Sequence, residues 1–259
     1  MLQISESVAR YPSLKDKRVF ITGGGTGIGA YMVERFSQQG AQVSFVDIAE
    51  PPSQSLCEKL AGKVAHTPTF IPCDIRNIAS LVSCIEKIQQ QQGDIGVLIN
   101  NAADDTRHDL ETLSVEYWDD RMAVNLRPCF FAAQAVIPQM KRLGGGSIIN
   151  LGSISWRLKQ GCMPAYTTAK AAIEGLTRTL AGRHGEDHIR VNSLIPGWVM
   201  TERQLTRWLD ADTVKDIHHH QCIKKTLVPD DIVNTALFLA ADDSSMLTAQ
   251  SIIVDGGWV

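Results

Sequence analysis

A tyrosine and a lysine stand four residues apart in the segment AYTTAKAAIEGL at 165–176. Residues with this spacing lie on the same face of an α-helix, so Tyr166 and Lys170 could reach a common partner. An alcohol or hemiacetal releases a hydride only when its hydroxyl proton leaves, which requires a base that works near neutral pH. The phenol of free tyrosine titrates near ~10, and an ammonium group one helical turn away would lower its pKa. The pair therefore favours proton transfer at a hydroxyl; the packing of an ordinary buried helix is the alternative.

A glycine-rich turn, TGGGTGIG at 22–29, lies between a β-branched run and a segment of helical periodicity. Glycines permit a tight turn and let a pyrophosphate approach the backbone, where the free N–H groups of the helix N-terminus favour an anion. The alternative is a plain tight turn. The position of this turn between a strand and a helix favours a dinucleotide site.

An aspartate, Asp47, ends the next apolar run at 42–48. A carboxylate at this place can accept hydrogen bonds from both ribose hydroxyls and would repel a 2′-phosphate. No Arg or Lys occurs within 22–29 or directly after Asp47. We therefore predict NAD rather than NADP, and a turn or helix-capping aspartate is the alternative.

Apolar runs and helical patterns alternate along the whole chain, which predicts a single α/β domain over 1–259. The expected fold is a Rossmann-like, doubly wound, seven-stranded parallel sheet with helices on both faces. Residues 198–228 are charged and irregular and follow a strand, so we expect a substrate loop or lid there. The predicted strands are 18–24, 42–48, 65–75, 95–103, 146–155, 189–197 and 249–257, and the predicted helices are 27–41, 77–93, 115–144 as one or two helices, 165–181 and 229–242.

The composition is that of a soluble globular protein, with 44% hydrophobic residues, 20% charged residues and a net charge of -3. The absence of a basic surplus argues against nucleic acid as a partner. We expect a cytoplasmic protein, because residues 1–19 lack a signal-peptide pattern, no run approaches the ~20 apolar residues of a membrane span, and the six cysteines form no C-x-x-C pair. We expect no metal at HHHQC (218–222), since neighbouring residues on a helix diverge by about 100°.

The markers T-G-x-x-x-G-x-G at 22–29, N-N-A at 100–102 and Y-x-x-x-K at 166–170 resemble the short-chain dehydrogenase/reductase family. Further markers span almost the whole chain: Asp74, Asn125, Ser153, RVNSLIPG at 190–197, Thr201 and VDGG at 254–257. Ala103 stands where the family usually has glycine after N-N-A, which could shift the loop beside the nicotinamide.

The resemblance implies a catalytic tetrad of Asn125, Ser153, Tyr166 and Lys170. In it, Ser153 would hydrogen-bond the substrate oxygen, and Asn125 would hold a water that links Lys170 to solvent. Taken singly, Ser153 could instead be a cap at the end of a strand, and Asn125 could be an amide in the interior of a helix. With the positive nicotinamide nearby, Lys170 would stabilise the tyrosinate form of Tyr166.

Cofactor contacts also follow from the resemblance. It places the adenine end at Asp74 and Ile75, the ribose near Asn101, and the carboxamide near Val199 and Thr201. A homotetramer is implied as well, with the helices at 115–144 and 165–181 pairing across one interface and the C-terminal strand near another. The expected NAD-binding residues are Gly23, Gly25, Thr26, Gly27, Ile28, Gly29, Asp47, Ile48, Asp74, Ile75, Asn101, Ala102, Tyr166, Lys170, Pro196, Gly197, Val199 and Thr201.

Within this family the chain resembles the NAD-dependent sugar 1-dehydrogenases of the D-xylose and L-arabinose type, in residues 11–30, 104–110, 152–158 and 173–181. Such an enzyme oxidises an aldose at C1 to the lactone. A sugar pocket needs several polar groups and an aromatic ring that packs flat against the sugar, here called the aromatic plate. We therefore expect a substrate site that includes Asp105, Arg107, His108, Ser153, Trp156, Tyr166, Trp198 and Gln204, with Trp156 as the plate.

Three alternatives stay open. Residues 104–110 could be a solvated turn. The reaction could be another one of the family, carried out by a polyol dehydrogenase or a 3-oxoacyl reductase. The chain could also be an NAD-binding sensor without activity, although the intact Ser153, Tyr166 and Lys170 argue against this.

Overall fold

Seven short strands rich in Val, Ile and Phe pair in parallel to form one sheet, in the order β3-β2-β1-β4-β5-β6-β7. A computed structural model of the chain describes residues 9–208 and 210–259. Two parts of the chain lie outside that description. They are residues 1–8, which belong to the predicted domain and to the segment without a signal pattern, and residue 209 of the predicted lid. The strands are β1 (Arg18–Thr22), β2 (Gln42–Asp47), β3 (Thr69–Pro72), β4 (Val97–Asn100), β5 (Gly146–Leu151), β6 (Ile189–Pro196) and β7 (Ser251–Val254).

Helices cover both faces of the sheet, as the strand–helix alternation predicts. One apolar core lies against α1, α2 and α9, and the other against α3, α5 and α6. None of the helices in the described ranges has the length and apolarity that a membrane span requires. The α-helices are α1 (Gly27–Gln38), α2 (Glu50–Leu60), α3 (Ile78–Gln92), α4 (Val115–Asn125), α5 (Arg127–Arg142), α6 (Pro164–His184), α7 (Glu202–Arg207), α8 (Ala211–His220) and α9 (Pro229–Ala240).

Two segments differ from the sequence-based expectation. The helix α2 lies in a segment for which the sequence analysis predicts no element; Pro51 and Pro52 occupy its first turn, where a missing N–H costs no hydrogen bond. The segment 198–228 was expected to be irregular but contains α7 and α8. Thr201 and Asp210 cap these two helices by accepting from the backbone N–H groups of Gln204 and Thr213.

The strand order reverses between β1 and β4, which are neighbours at the centre of the sheet. Ligands of doubly wound sheets bind beyond the carboxyl ends of the strands at such a switch point. The segments that leave the sheet at this edge are the glycine turn after β1, residues 101–105 after β4, residues 152–160 after β5 and residues 197–204 after β6. These segments contain most of the residues predicted to carry the chemistry.

Candidate active site

Tyr166 and Lys170 lie on one face of α6 and line a cavity of about 220 Å³. Both side chains are largely buried, with 9% of Tyr166 and 3% of Lys170 exposed. Lys170 Nζ donates a hydrogen bond of 2.7 Å to the carbonyl oxygen of Leu151, the last residue of β5. The same Nζ atom lies 5.7 Å from the centre of the Tyr166 ring. The strand end thus fixes the lysine beside the tyrosine.

Burial raises the pKa of Tyr166 to about 12, and the negative charge of Asp105 acts in the same direction. A hydrogen bond with Ser153 and the positive charges of Arg107 and Arg203 oppose this shift. Burial also lowers the pKa of Lys170. Burial therefore favours the neutral phenol, and the lowering of the Tyr166 pKa that we expect from Lys170 together with the nicotinamide stays a prediction.

Ser153, two residues beyond β5, lines the same cavity as Tyr166 and Lys170. Its Oγ donates to Ser155 Oγ at 3.0 Å and accepts from the Ser155 N–H at 3.2 Å. The serine is half-buried, so its hydroxyl can turn from Ser155 to a substrate oxygen at little cost. The structure therefore brings three of the four predicted tetrad residues to one cavity.

Asn125 has a different environment at the end of α4. Its Nδ2 donates to the carbonyl oxygens of Asp104 and Arg121, at 3.1 and 3.0 Å, and its Oδ1 accepts from the Asp104 N–H at 2.9 Å. The side chain is fully buried and fastens the segment after β4 to α4. The predicted water-holding role stays a prediction: both amide protons are used, so a water could donate only to the main-chain carbonyl or to the second lone pair of Oδ1.

The glycine turn after β1 has a shape that larger residues would disturb. Gly23 and Gly27 have φ angles of +69° and +53°, in the left-handed region that favours glycine. A Cβ atom on Gly29 would lie 1.8 Å from the Gly23 carbonyl oxygen, and one on Gly25 would lie 2.2 Å from Ser53 Oγ. The turn therefore requires glycine at these positions. Its own N–H groups up to Gly25 donate within the protein, so the N–H groups in the first turn of α1, which lack intrahelical partners, are the ones that fit a pyrophosphate.

Asn101 supports this turn from the neighbouring strand β4. Its Nδ2 donates to the carbonyl oxygens of Thr22 and Gly23 at 3.1 and 2.8 Å. Its side-chain amide thus braces the dinucleotide turn, whereas the sequence-based expectation was a position near the ribose. Asn101 also lines the cavity that contains Tyr166, so both placements are compatible.

We expect Gly29→Ala to weaken dinucleotide binding about tenfold or more, because overpacking costs of about 1–3 kcal/mol fall on the turn that holds the ligand. Titration of the protein with NADH, followed by fluorescence, measures this effect. The matched control is Gly182→Ala in α6, where an added Cβ would meet no atom within 4 Å. The control should bind NADH normally, and equal loss in both variants would contradict the assignment of the turn.

A second crevice of about 700 Å³ continues from the turn along the ends of β2 and β3. Asp47 lies at its mouth, where Oδ2 accepts from the Gly25 N–H at 2.8 Å and Oδ1 from the Ala49 N–H at 2.9 Å. Each carboxylate oxygen keeps a second lone pair, so Asp47 can still accept from ribose hydroxyls. The predicted residues that line this crevice are Gly23, Thr26, Gly27, Ile28, Gly29, Asp47, Ile48, Asp74, Ile75, Asn101, Ala102 and Thr201.

Sequence reasoning missed three cations that line this crevice, Arg76, Arg121 and Arg203. Arg76 Nη2 lies 2.6 Å from Asp74 Oδ2, and Arg76 Nη1 lies 2.9 Å from Asp120 Oδ1. A search for basic residues near the glycine turn and directly after Asp47 could not find it, because it follows β3. Since two carboxylates already bind Arg76, a 2′-phosphate would have to compete with them for its charge.

Four of the predicted substrate residues line the cavity around Tyr166: Asp105, Arg107, Trp198 and Gln204. Gln204 Nε2 donates to Asp105 Oδ2 at 2.8 Å, and Arg203 Nη2 lies 3.0 Å from both Asp104 Oδ1 and Asp105 Oδ1. These bonds join α7 to the segment after β4 across the cavity. The first part of the predicted lid segment 198–228 thus forms a wall of the site. Pro196, Gly197, Val199 and Thr201 line the same cavity.

Trp156 and His108 were expected at the substrate and are not among the described residues that line this cavity. The turn after β5 places the Trp156 ring against the guanidinium of Arg157, 4.7 Å away. His108 Nδ1 donates to the Thr106 carbonyl at 2.8 Å, and its Nε2 accepts from the Ala165 N–H at 3.1 Å. His108 therefore joins its loop to the start of α6.

Sequence reasoning missed four polar or aromatic residues of the cavity: Ser155, Gln160, Arg203 and Trp258. For Trp258 a sequence signal existed, because an aromatic residue just beyond the last strand of a parallel sheet lies at the edge where ligands bind. The described residues contain no group of three or more His, Cys, Asp or Glu side chains placed to hold a metal ion. The His-rich segment instead forms the last turn of α8.

Comparison with known proteins gives consistent matches. A family model described as enoyl-(acyl carrier protein) reductase matches residues 23–259. A protein named probable galactose dehydrogenase from Rhizobium meliloti is 48% identical, over 96% of this chain and 97% of its own. D-xylose 1-dehydrogenase from Caulobacter vibrioides is 46% identical, over 97% of this chain and 99% of its own. The structure of an aldohexose dehydrogenase from Thermoplasma acidophilum matches with a TM-score of 0.84 at 28% identity, over 96% of both chains.

Proposed function

We propose that this chain, which belongs to the short-chain dehydrogenase/reductase family, oxidises an aldose at C1 to the lactone with NAD. The observation that carries the proposal is the single cavity in which Ser153, Tyr166 and Lys170 meet two tryptophans and several hydrogen-bonding side chains. The first three supply the means to move a proton from a hydroxyl. The others fit a ligand with hydroxyl groups at its edge and C–H groups on its faces.

In the proposed mechanism, the substrate hydroxyl at C1 lies between Ser153 and Tyr166. Ser153 Oγ donates a hydrogen bond to that oxygen, and Tyr166 accepts its proton as the general base. Lys170, fixed by the Leu151 carbonyl, stabilises the negative charge that the Tyr166 oxygen carries before it takes the proton. NAD held at the glycine turn would supply the hydride acceptor. A water held at Asn125 would return the proton from Lys170 to solvent.

We expect Lys170→Met to shift the ascending limb of the kcat/KM profile, where the rate rises with pH, to higher pH and to lower the rate near pH 7. The reason is that Tyr166 must be ionised to act as a base, so the rate rises as pH approaches its pKa. Burial already raises that pKa to about 12 in the chain alone, and loss of the ammonium group would raise the value reached with NAD bound. If the ascending limb of Lys170→Met lies at the same pH as that of the wild type, the result would contradict the role of Lys170 in lowering the pKa of Tyr166.

The choice of NAD rests on Asp47, whose carboxylate lies at the mouth of the crevice beside the turn. It can accept from ribose hydroxyls and would repel a 2′-phosphate. The positive charge of Arg76 is shared between Asp74 and Asp120. Both features support NAD.

The size of the cavity supports a monosaccharide. Its volume of about 220 Å³ lies below the roughly 300–1,000 Å³ typical of pockets for drug-sized ligands. A long acyl chain would extend beyond it, so a 3-oxoacyl substrate fits less well. A polyol would fit the same polar groups and is the second candidate.

A substrate panel tests the proposal. NADH formation is measured with D-xylose, L-arabinose, D-galactose and D-glucose, with NAD and NADP in parallel, and the same protein is given linear polyols and a 3-oxoacyl thioester with NADH. We expect turnover with at least one aldose and preference for NAD. Turnover of polyol or thioester without turnover of any aldose would overturn the proposal.

A homotetramer in the cytoplasm completes the proposal. Val115 on α4 and Phe130 on α5 are 72% and 44% exposed, so both helices carry apolar side chains that an interface would bury. The six cysteines are all free thiols, as in a reducing compartment. Light scattering tests the assembly, and a mass equal to one chain would contradict it.

A further inference from the structure

The C-terminus forms an ordered hook after β7. Asp255 Oδ1 accepts from the Gly257 N–H at 2.8 Å, and its Oδ2 accepts from the Val259 N–H at 2.9 Å. Gly256 and Gly257 have φ angles of +71° and +80°, so the chain reverses within two residues. Chain ends are poorly ordered unless something fixes them. The hook therefore holds the residue between its anchors, Trp258, in one place.

A second set of bonds joins the hook to the segment that follows α8. The Cys222 N–H donates to the Gly257 carbonyl at 3.1 Å, and the Ile223 N–H donates to the Gly256 carbonyl at 2.9 Å. A Cβ atom on Gly257 would lie 2.9 Å from the Cys222 Cβ, so glycine permits this close approach. The hook and the end of the predicted lid segment are thus one unit.

The indole of Trp258 is covered on one face by His220, the last residue of α8. The two rings are nearly parallel, with an angle of 7° and a centre-to-centre distance of 5.5 Å. Trp258 also lines the cavity that contains Tyr166 and Ser153. His220 occupies one side of the ring, so a ligand that packs against the indole must use the other side.

Cations lie against the other tryptophans near the site. The Arg107 guanidinium lies 4.9 Å from the centre of the Trp208 ring and 6.0 Å from that of Trp198, which also lines the cavity. The Trp156 ring packs against Arg157 and does not line the cavity. The polar groups of the cavity, from Asp105 and Gln204, can bind the hydroxyls of a pyranose, whose C–H face then needs an apolar surface.

We propose that Trp258 is the aromatic plate against which the C–H face of the sugar ring packs, and that His220 positions its indole. This inference rests on the proposed function, because it takes an aldopyranose as the ligand. It replaces Trp156, the plate expected from the sequence, with a residue that is distant in the chain but borders the same cavity as the reacting groups.

Kinetics with the aldose that the wild type oxidises test the plate. Trp258→Leu should raise the KM for the sugar about tenfold or more, since aromatic packing and lost apolar contact together are worth over ~1.4 kcal/mol. The Kd for NADH should not change, because Trp258 does not line the crevice at the glycine turn. Trp258→Phe should lie between Leu and wild type. Trp156→Phe is the matched control and should have the wild-type KM.

Two variants test the positioning role of His220. His220→Ala should raise the KM for the sugar, whereas His220→Phe keeps a stacked ring and should restore it. If His220 contributed only to stability, His220→Ala would lower the melting temperature but would not differ from His220→Phe in the KM for the sugar. If Trp258→Leu fails to fold, the KM values for the sugar of Trp258→Phe, His220→Ala and His220→Phe test the inference in its place.

The outcomes separate this inference from the proposed function. A wild-type KM for the sugar in Trp258→Leu, in an enzyme that oxidises aldoses, overturns the inference and leaves the proposed function in place. Failure of the wild type to oxidise any aldose overturns both. An increase in the KM for NAD equal to that for the sugar would assign Trp258 to the general stability of the site and also overturn the inference.

Discussion

Tyr166→Phe is expected to reduce oxidation of the substrate by a factor of about 10²–10⁴ or more, because it removes the general base. The variant lacks only one oxygen atom, and the ring that packs at the start of α6 remains. Dinucleotide binding should therefore persist, since the glycine turn and Asp47 are untouched. Steady-state kinetics with the aldose and a fluorescence titration with NADH measure the two properties on the same preparation.

The matched control for this prediction is Tyr31→Phe on α1, whose side chain is 44% exposed and does not border the cavity. Its activity should equal that of the wild type. Near-normal turnover of Tyr166→Phe would mean that another group accepts the proton. Loss of NADH binding together with activity would instead indicate a damaged fold. If Tyr166→Phe loses all activity but still binds NADH, the wild type must be an active enzyme. This result would also exclude the alternative of an NAD-binding sensor without activity.

Asp47→Asn is expected to weaken NAD binding by about tenfold or more, since hydrogen bonds to charged groups contribute about 1.5–3 kcal/mol. It should also improve the use of NADP relative to NAD, because the charge that repels a 2′-phosphate is gone. The asparagine keeps the shape of the side chain and one acceptor for the Gly25 and Ala49 N–H groups. The ratio of kcat/KM values for the two cofactors measures the effect.

Asp212→Asn is the control for Asp47→Asn, because its side chain is 89% exposed on α8 and pairs only with Lys215. It removes the same charge without touching the crevice. An unchanged cofactor ratio in Asp47→Asn would contradict the assignment of this carboxylate to the ribose. In that case Arg76, which lines the same crevice, would become the residue to examine next.

The electrostatics of the cavity show why the tyrosine and lysine are insufficient on their own. In the chain without ligands, burial raises the pKa of Tyr166 and lowers that of Lys170, so each group is pushed toward its neutral form. Arg107 and Arg203 oppose the shift at Tyr166, and both come from segments beside the substrate. Added positive charge in the cavity would therefore favour the ionised phenol, which links base strength to occupancy of the site.

The order of strands and helices followed from the sequence because each strand is a short β-branched run and each long helix has an apolar face. The boundary at Leu126, where α4 ends before α5, was left open between one helix and two. Helix α2 was missed, although its prolines are accepted in the first turn. Helices α7 and α8 were missed because few of their residues are buried.

The meeting of Ser153, Tyr166 and Lys170 in one cavity was predicted because these residues belong to a spaced pattern that a sequence displays. The positions of the expected substrate residues were predicted less well. Local sequence could not tell that the turn after β5 carries Trp156 away from the cavity, or that Asn125 directs its amide to the Asp104 backbone. Trp258 reaches the site through contacts with residues 220–223, which only the fold reveals.

The most direct measurement is oxidation of an aldose that carries deuterium at C1, with the reduced nucleotide isolated and weighed by mass spectrometry. If hydride leaves C1 as proposed, the deuterium appears in the nicotinamide ring and the sugar product is the unlabelled lactone. The same sugar labelled at C2 should give unlabelled NADH. Turnover of the C1-labelled sugar that yields unlabelled NADH, with deuterium retained in the sugar product, would contradict oxidation at C1.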